Sequence, residues 1–534
     1  MGFFYEKNNN QLEPPTPSKN PVKEHKEKQT LKTSLQANIK IVKATLGEST
    51  DIVIREIRIG NKGTLKAGIM YTDGLSDAPS IQKFIMESLM LEIKETELES
   101  ELTPNPKLLD TIKDFALTVG EIRDVTDFDM LFTTLLSGNV ILLIDGYSEG
   151  MTLGNKRWAE RGVTESTTQT VIRGPREAFS ENMRINTALI RRKIKDPNLW
   201  MESRDIGKRT KTNIAVMYIK GIANDDIVEE LRLRLDRIDI DGILESGNIE
   251  ELIQDSQMTT FPTVYNSERP DVVAAAILEG RIAIIVDGTP FVLTVPALFV
   301  EFFQSSEDYY QRADFTSLVR ILRFFSFGIA LLAPALFIAA TTFHHEMIPT
   351  ALLINLAAQR EGVPFPAFIE ALIMEITFEI LREAGLRMPR AIGSAMSIVG
   401  AFVIGTAAVE AGMISAAMVI VVSITAIASF VSPTYDMAMS VRILRFVFMG
   451  LAASFGLFGI TVGLIALILH LCSLRSYGIP YMYPIAPFNI SGQKDTFIRL
   501  PIWKMFTRTP LISQENIKKQ QNPASAKPGP EKDQ

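Results

Sequence analysis

The chain has 534 residues, a net charge of −6, 46% hydrophobic residues and a mean hydropathy of +0.14. Of its 116 charged side chains (55 basic plus 61 acidic), residues 324–471 hold only 14, about 9% of that stretch, whereas the remainder is about as charged as a soluble domain, roughly 25%. This split excludes a chain that is water-soluble throughout, a collagen-like chain and a fully disordered one.

The single cysteine, Cys472, excludes an intrachain disulfide and any cysteine-built zinc or iron–sulfur site. The acidic balance gives no reason to expect nucleic acid. Residues 1–44 are polar, rich in lysine and proline and without an apolar h-region, and are expected to be a disordered cytosolic lead-in.

Residues 45–305 carry strand and helix signals in alternation and repeat themselves at an offset of roughly 145 residues. DIVIREIRIG followed by LKAGIMYTDG (51–60, 65–74) answers LWMESRDIG followed by TNIAVMYIKG (199–207, 212–221). NVILLIDG (139–146) answers RIAIIVDG (281–288). Each pair of runs reads as a strand hairpin closed by glycine turns. The expectation is an α+β domain of two like lobes, 45–172 and 173–305. Asp73, Asp145 and Asp287 stand in Asp-Gly turns and are read as turn residues rather than a carboxylate cluster. Residues 173–199 hold a basic helix with Arg184, Arg191, Arg192, Lys193 and Lys195, suited to an anion, a lipid head group or packing against a lobe. No Walker A, G-x-G-x-x-G or G-x-S-x-G sequence is present, so no enzyme is expected.

Residues 306–472 are expected to form an all-α polytopic membrane bundle of four to five spans, followed by a tail, 473–534, disordered after about 513. Residues 324–343, 391–409, 411–431 and 446–471 are each long and apolar enough to cross about 30 Å of hydrocarbon. Residues 347–358 are too short and suit a re-entrant segment. Residues 367–381 contain the intramembrane carboxylates Glu370, Glu375 and Glu379, a costly span or an amphipathic helix. With the N-terminal domain cytoplasmic, five crossings satisfy the arginines at 320/323, 382/387/390 and 442/445. The same count puts Arg475, Lys494 and Arg499 of the tail on the wrong side, and four crossings would bring the tail back. His344, His345 and Glu346 adjoin in one short loop, where three consecutive positions rarely converge on a metal.

DIVIREIRI, LLSGNVILLIDGY, RGPREAFSENMRINTALIRRKIKDPNL, the stretch from TFPTVYNSERP to FFQSSEDYY, and FIEALIMEITFEILREAGLRMPRAIGSAMSIVGAFVIGTAAVEAG together resemble the A-subunit family of nutrient germinant receptors of endospore-forming bacteria, over about residues 45–500. The resemblance implies a non-enzymatic protein of the spore inner membrane, without cofactor, that works with a transporter-like B subunit and a lipoprotein C subunit. It further implies a homo-oligomer, a ring of five, forming a nutrient-gated cation channel. A late-sporulation paralogue of the family and a secondary transporter are the alternatives.

Helical geometry can be tested against a pore. Gly393, Ser397, Ala401 and Gly405 recur at i+4 and make a small-residue packing stripe. Met396, Val399, Val403, Thr406 and Glu410 fall within about 80° of one another at 100° per residue. In a ring they would give an apolar gate, a hydroxyl ring and a carboxylate ring at the mouth.

Overall fold

The computed structural model describes residues 29–59, 65–83, 122–154, 169–387, 406–490, 492–513 and 516–519. Two five-stranded antiparallel sheets come first, with one topology. The strands of the first sheet are β1 (Ile52–Ile59), β2 (Leu65–Thr72), β3 (Ile122–Val125), β4 (Val140–Ile144) and β5 (Gly150–Leu153), in the order β1-β2-β4-β5-β3. Those of the second are β6 (Leu199–Ile206), β7 (Thr212–Ile219), β8 (Tyr265–Ser267), β9 (Ile282–Val286) and β10 (Val292–Val295), in the order β6-β7-β9-β10-β8. The first hairpins pair Ile52 with Thr72 and Leu199 with Ile219, so the repeat holds in register as well as in sequence.

Period-2 alternation divides each sheet into two buried faces. In lobe 1, Ile141 and Leu143 of β4 face helices α1 (Leu35–Leu46) and α3 (Phe128–Leu135), while Val140, Leu142 and Ile144 join the opposite cluster, which takes in Ile81 of the short α2 (Ala78–Lys83). In lobe 2, Ala283 and Ile285 of β9 face α4 (Met183–Lys193) and α7 (Pro270–Leu278); Ile282, Ile284 and Val286 face α5 (Asp225–Asp236) and α6 (Ser246–Ile253). Lobe 1 starts earlier than the boundary expected at 45. Leu35, Ile39, Val42 and Leu46 of α1 are buried because their i, i+4, i+7 spacing presents one apolar stripe to the sheet.

The Asp-Gly turns have a structural task. Asp145 Oδ1 accepts from Leu35 N at 2.9 Å, and Asp287 Oδ1 accepts from Met183 N at 3.0 Å, each satisfying an orphan amide at a helix start. Asn38 and Asn186 repeat a second device: each side chain takes the amide and carbonyl of the residue six positions before it, Lys32 and Ser180. The basic helix α4 is mainly a bracket between the lobes. Arg191, 1% exposed, donates to Asp51 at 2.6 and 3.0 Å, and Trp200 lies over Gly47, whose positive φ and missing Cβ leave room for the ring.

A helical C-terminal bundle follows: α8 (Ala313–Thr342), α9 (Thr350–Arg360), α10 (Ala367–Arg387), α11 (Ala416–Phe430) and α12 (Tyr435–Ser473). Among the described residues, α8 and α12 are the two helices long and apolar enough to cross a membrane. α12 is a helical hairpin, against the single crossing expected for 446–471. Gly456, at φ 58° and ψ −141°, interrupts it, in a region of backbone space open essentially to glycine alone. Cβ positions built at Gly459 and Gly463 fall against Leu451 and Phe448 of the first arm, and the tip rests on Phe343 and His344 beyond the end of α8. Both ends of the hairpin meet lobe 2. Asn266 donates to Asp436 at 2.7 Å, and Thr259 bonds His470 at 3.0 Å. The tail then re-enters lobe 2, where Tyr477, Ile479, Tyr483 and Ile512 complete the cluster under α5 and α6.

Candidate functional site

The charges of the bundle form a seam between α10 and α12. Glu375 and Arg445 are both buried, with Arg445 Nη1 donating to Glu375 Oε2 at 2.6 Å. Arg445 Nε donates to the carbonyl of Ala330 at 2.7 Å. That carbonyl is free because Pro334, four residues on in α8, has no N–H to offer it. One guanidinium thus joins three helices and repairs a proline break, as buried polar groups in a membrane must be repaired. Among the described residues, Glu375 Oε1 and Arg445 Nη2 keep no hydrogen-bond partner.

Toward lobe 2, Glu379 takes Arg442 at 2.8 Å and lies 3.8 Å from Arg382. Arg382 donates to Ser429 Oγ of α11 and lies between the rings of Phe378 and Phe430. At the far end Glu370, fully buried, accepts from Ser415 N at 3.0 Å and Oγ at 2.8 Å, with Arg360 at 3.4 Å. Glu370 therefore holds the start of α11. Glu383 turns outward to Arg387. Sequence reasoning paired Glu379 with Arg382 and missed Arg442 and Arg445, taking them as markers of sidedness. Their i, i+3 spacing opposite glutamates at i, i+4 is the signal that could have found them.

Of the expected pore arc, Met396, Val399 and Val403 lie outside the described residues, as do Gly393, Ser397, Ala401 and Gly405 of the packing stripe. Thr406 and Glu410 are described. Both are exposed, in and beside the helical turn Ala408–Glu410 at the end of the bundle remote from lobe 2. His344 packs at the hairpin tip, its Nδ1 3.3 Å from the Ala339 carbonyl.

A second polar cluster joins lobe 2 to the bundle. Arg320 of α8, wholly buried, donates to Asp308 at 2.9 Å and to Asp495 of the tail at 2.6 Å. Arg323 also reaches Asp308, and Tyr309 OH donates to Asp495 at 2.7 Å. Lobe, first bundle helix and tail therefore share one ion network. Nearby, Glu301 pairs with Arg281, yet burial pushes its carboxyl up to about 7, the arginine opposing the shift without cancelling it.

A family model described as Bacillus/Clostridium GerA spore germination protein matches residues 40–511. Spore germination protein KA of Bacillus subtilis (strain 168) is 50% identical over 90% of this chain and 87% of its own length. Spore germination protein GerLA of Bacillus cereus is 40% identical over 87% of this chain and 92% of its own. The crystal structure of the N-terminal domain of the A subunit of the Bacillus megaterium spore germinant receptor GerK3 is 41% identical, with a TM-score of 0.41, and covers 51% of this chain and 98% of that one.

Proposed function

Because the chain belongs to the GerA family of spore germination proteins, we propose that it is the A subunit of a nutrient germinant receptor that oligomerises into a nutrient-gated cation channel in the spore inner membrane. The observation that carries this reading is a pair of buried polar clusters on α8: Arg320 joins it to Asp308 and to Asp495 of the tail, and Ala330, further along the same helix, accepts from Arg445 of the α10–α12 seam. They put charges inside an apolar bundle that is attached to a folded domain, and intramembrane ionisable residues mark ion paths and moving parts by default.

The two ends of the bundle support a membrane topology. The chain leaves lobe 2 by α8 and returns to it by the second arm of α12, so the number of crossings is even whatever path it takes between. This favours an even count, four of the four to five expected or a higher even number, with the tail on the side of lobe 2, in the cytoplasm. The three arginine clusters stay cytoplasmic and Arg475, Lys494 and Arg499 join them, as the positive-inside bias requires. A transporter-like B subunit binds the nutrient and a lipoprotein C subunit completes the receptor. Five copies of the A subunit make a ring, with Val399 and Val403 as an apolar gate and Glu410 as the carboxylate ring at the outer mouth.

Native mass in detergent tests the ring. The expected particle has five times the mass of the 59.4 kDa chain; a monomer under every mild detergent would contradict the channel and favour a transporter. Glu410→Gln in spores should slow cation release, with the effect falling as ionic strength rises. An unaltered release profile would remove Glu410 from the mouth.

A further inference from the structure

The tail segment 492–504 is strapped along the first turns of α8. Ser317 Oγ donates to Arg499 O at 3.1 Å, Arg499 N returns a bond to Ser317 Oγ, and Asp495 takes Arg320. The ring of Phe497 lies 4.7 Å from that of Phe324, which stacks on Phe303 at 4.2 Å. Phe324 opens the uncharged stretch of α8, so Phe497, at the turn between the paired Asp495 and Arg499, marks the level where charge ends along that helix. Outward it shows Ile498, Ile502 and Trp503, each about half exposed or more, with the Lys504 ammonium 4.8 Å from the Trp503 ring centre. Beside it α8 exposes Leu318, Leu322 and Phe325, one face at i, i+4, i+7. Large exposed apolar side chains gathered near one end of a helix long and apolar enough to cross a membrane suit an interaction surface. A tryptophan with a lysine beside it is the composition of a membrane–water boundary, the ring at the headgroups and the lysine reaching out to phosphate.

We propose that residues 492–504 form a collar seated in the headgroup layer of the bilayer on the lobe 2 side, with Trp503 and the exposed isoleucines at the acyl boundary and Lys504 at the lipid phosphates. The collar rests on the reading of α8 as a membrane span and is independent of any pore. Through Arg320 it would tie the level of α8 in the bilayer to lobe 2.

The test uses the full chain reconstituted in phosphatidylcholine–phosphatidylglycerol vesicles. With Trp158→Phe and Trp200→Phe, Trp503 is the sole tryptophan of the three. Lipids brominated near the headgroup should roughly halve its emission, lipids brominated near the chain end should quench less, and aqueous acrylamide should quench weakly, as for a side chain at the interface. Strong acrylamide quenching without lipid quenching, or stronger quenching from the chain end, overturns the collar. So does a Trp503 protected from both, which would place a second copy or another subunit over the patch. Since Trp200 packs on Gly47, the difference between the natural chain and Trp503→Phe is read in parallel and must agree. A chain that fails to float with the vesicles refutes the membrane reading and the collar together, whereas a chain that floats with Trp503 unquenched by lipid refutes the collar alone.

Discussion

Arg191 and Arg445 illustrate one rule: a guanidinium out of water is kept beside a buried carboxylate, Asp51 for the one and Glu375 for the other. Arg191 ties the lobes through Asp51, and Asp51→Ala would leave its charge buried and alone, at about 3–5 kcal/mol. The expected outcome is a lower unfolding temperature of the soluble domain; an unchanged one would mean the interface does not hold the lobes. Arg445→Met should cost a similar amount, since Glu375 and the Ala330 carbonyl lose their donor together. Adding Glu375→Met should recover much of the loss, because replacing both partners of a buried pair by apolar groups is often neutral. Thermal unfolding in detergent would contradict the seam if the two losses simply added.

Glu301 sets a pH dependence of definite sign. Its carboxyl titrates at about 7 in the folded chain against 4.5 ordinarily, so between those values the folded state holds a proton that the unfolded state has released. Stability therefore falls as pH rises from about 4.5 to 7 and levels off above. Glu301→Gln should flatten that slope; a slope unchanged by the substitution would assign it to other groups.

Among the elements, the repeated hairpins were legible because short apolar and β-branched runs ended by Asp-Gly turns specify strands locally. Asp145 and Asp287 stand in those turns as read, though their bonds to helix starts far along the chain were not visible. α12 was not legible as a hairpin. Gly450, Gly456, Gly459 and Gly463 stand in one uncharged run, and hydropathy cannot tell which of them reverses the chain. Position 456 is distinguished by its backbone, at φ 58° and ψ −141°, and by its packing against Phe343 and His344. Gly456→Ala places a Cβ 2.8 Å from the His344 ring and strains the backbone as well, at about 1–3 kcal/mol. The variant should be less stable in detergent, while Gly450→Ala, with open space around it, should be near neutral. Equal effects would refute the turn at 456.

For the whole molecule, the uneven charge already separated soluble domain from bundle, whereas the closure of the tail onto lobe 2 depends on contacts spanning more than 200 residues that no local pattern encodes. Tyr477 N to Asp255 at 2.6 Å and Ser476 Oγ to Thr263 O at 2.8 Å are such contacts. With the Asp495–Arg320 and Asn266–Asp436 bonds they pack lobe 2, α8, the hairpin and the tail against one another as one unit.

The central claim is that this unit gates a cation path. Its most direct test is cation release from spores carrying Val399→Ala and Val403→Ala, measured without nutrient. Widening an apolar constriction admits water and lowers the barrier to ions, so the double variant should lose monovalent cations spontaneously while the natural chain retains them. Spores that hold their cations without nutrient and release them at the normal rate when nutrient is added would contradict the account.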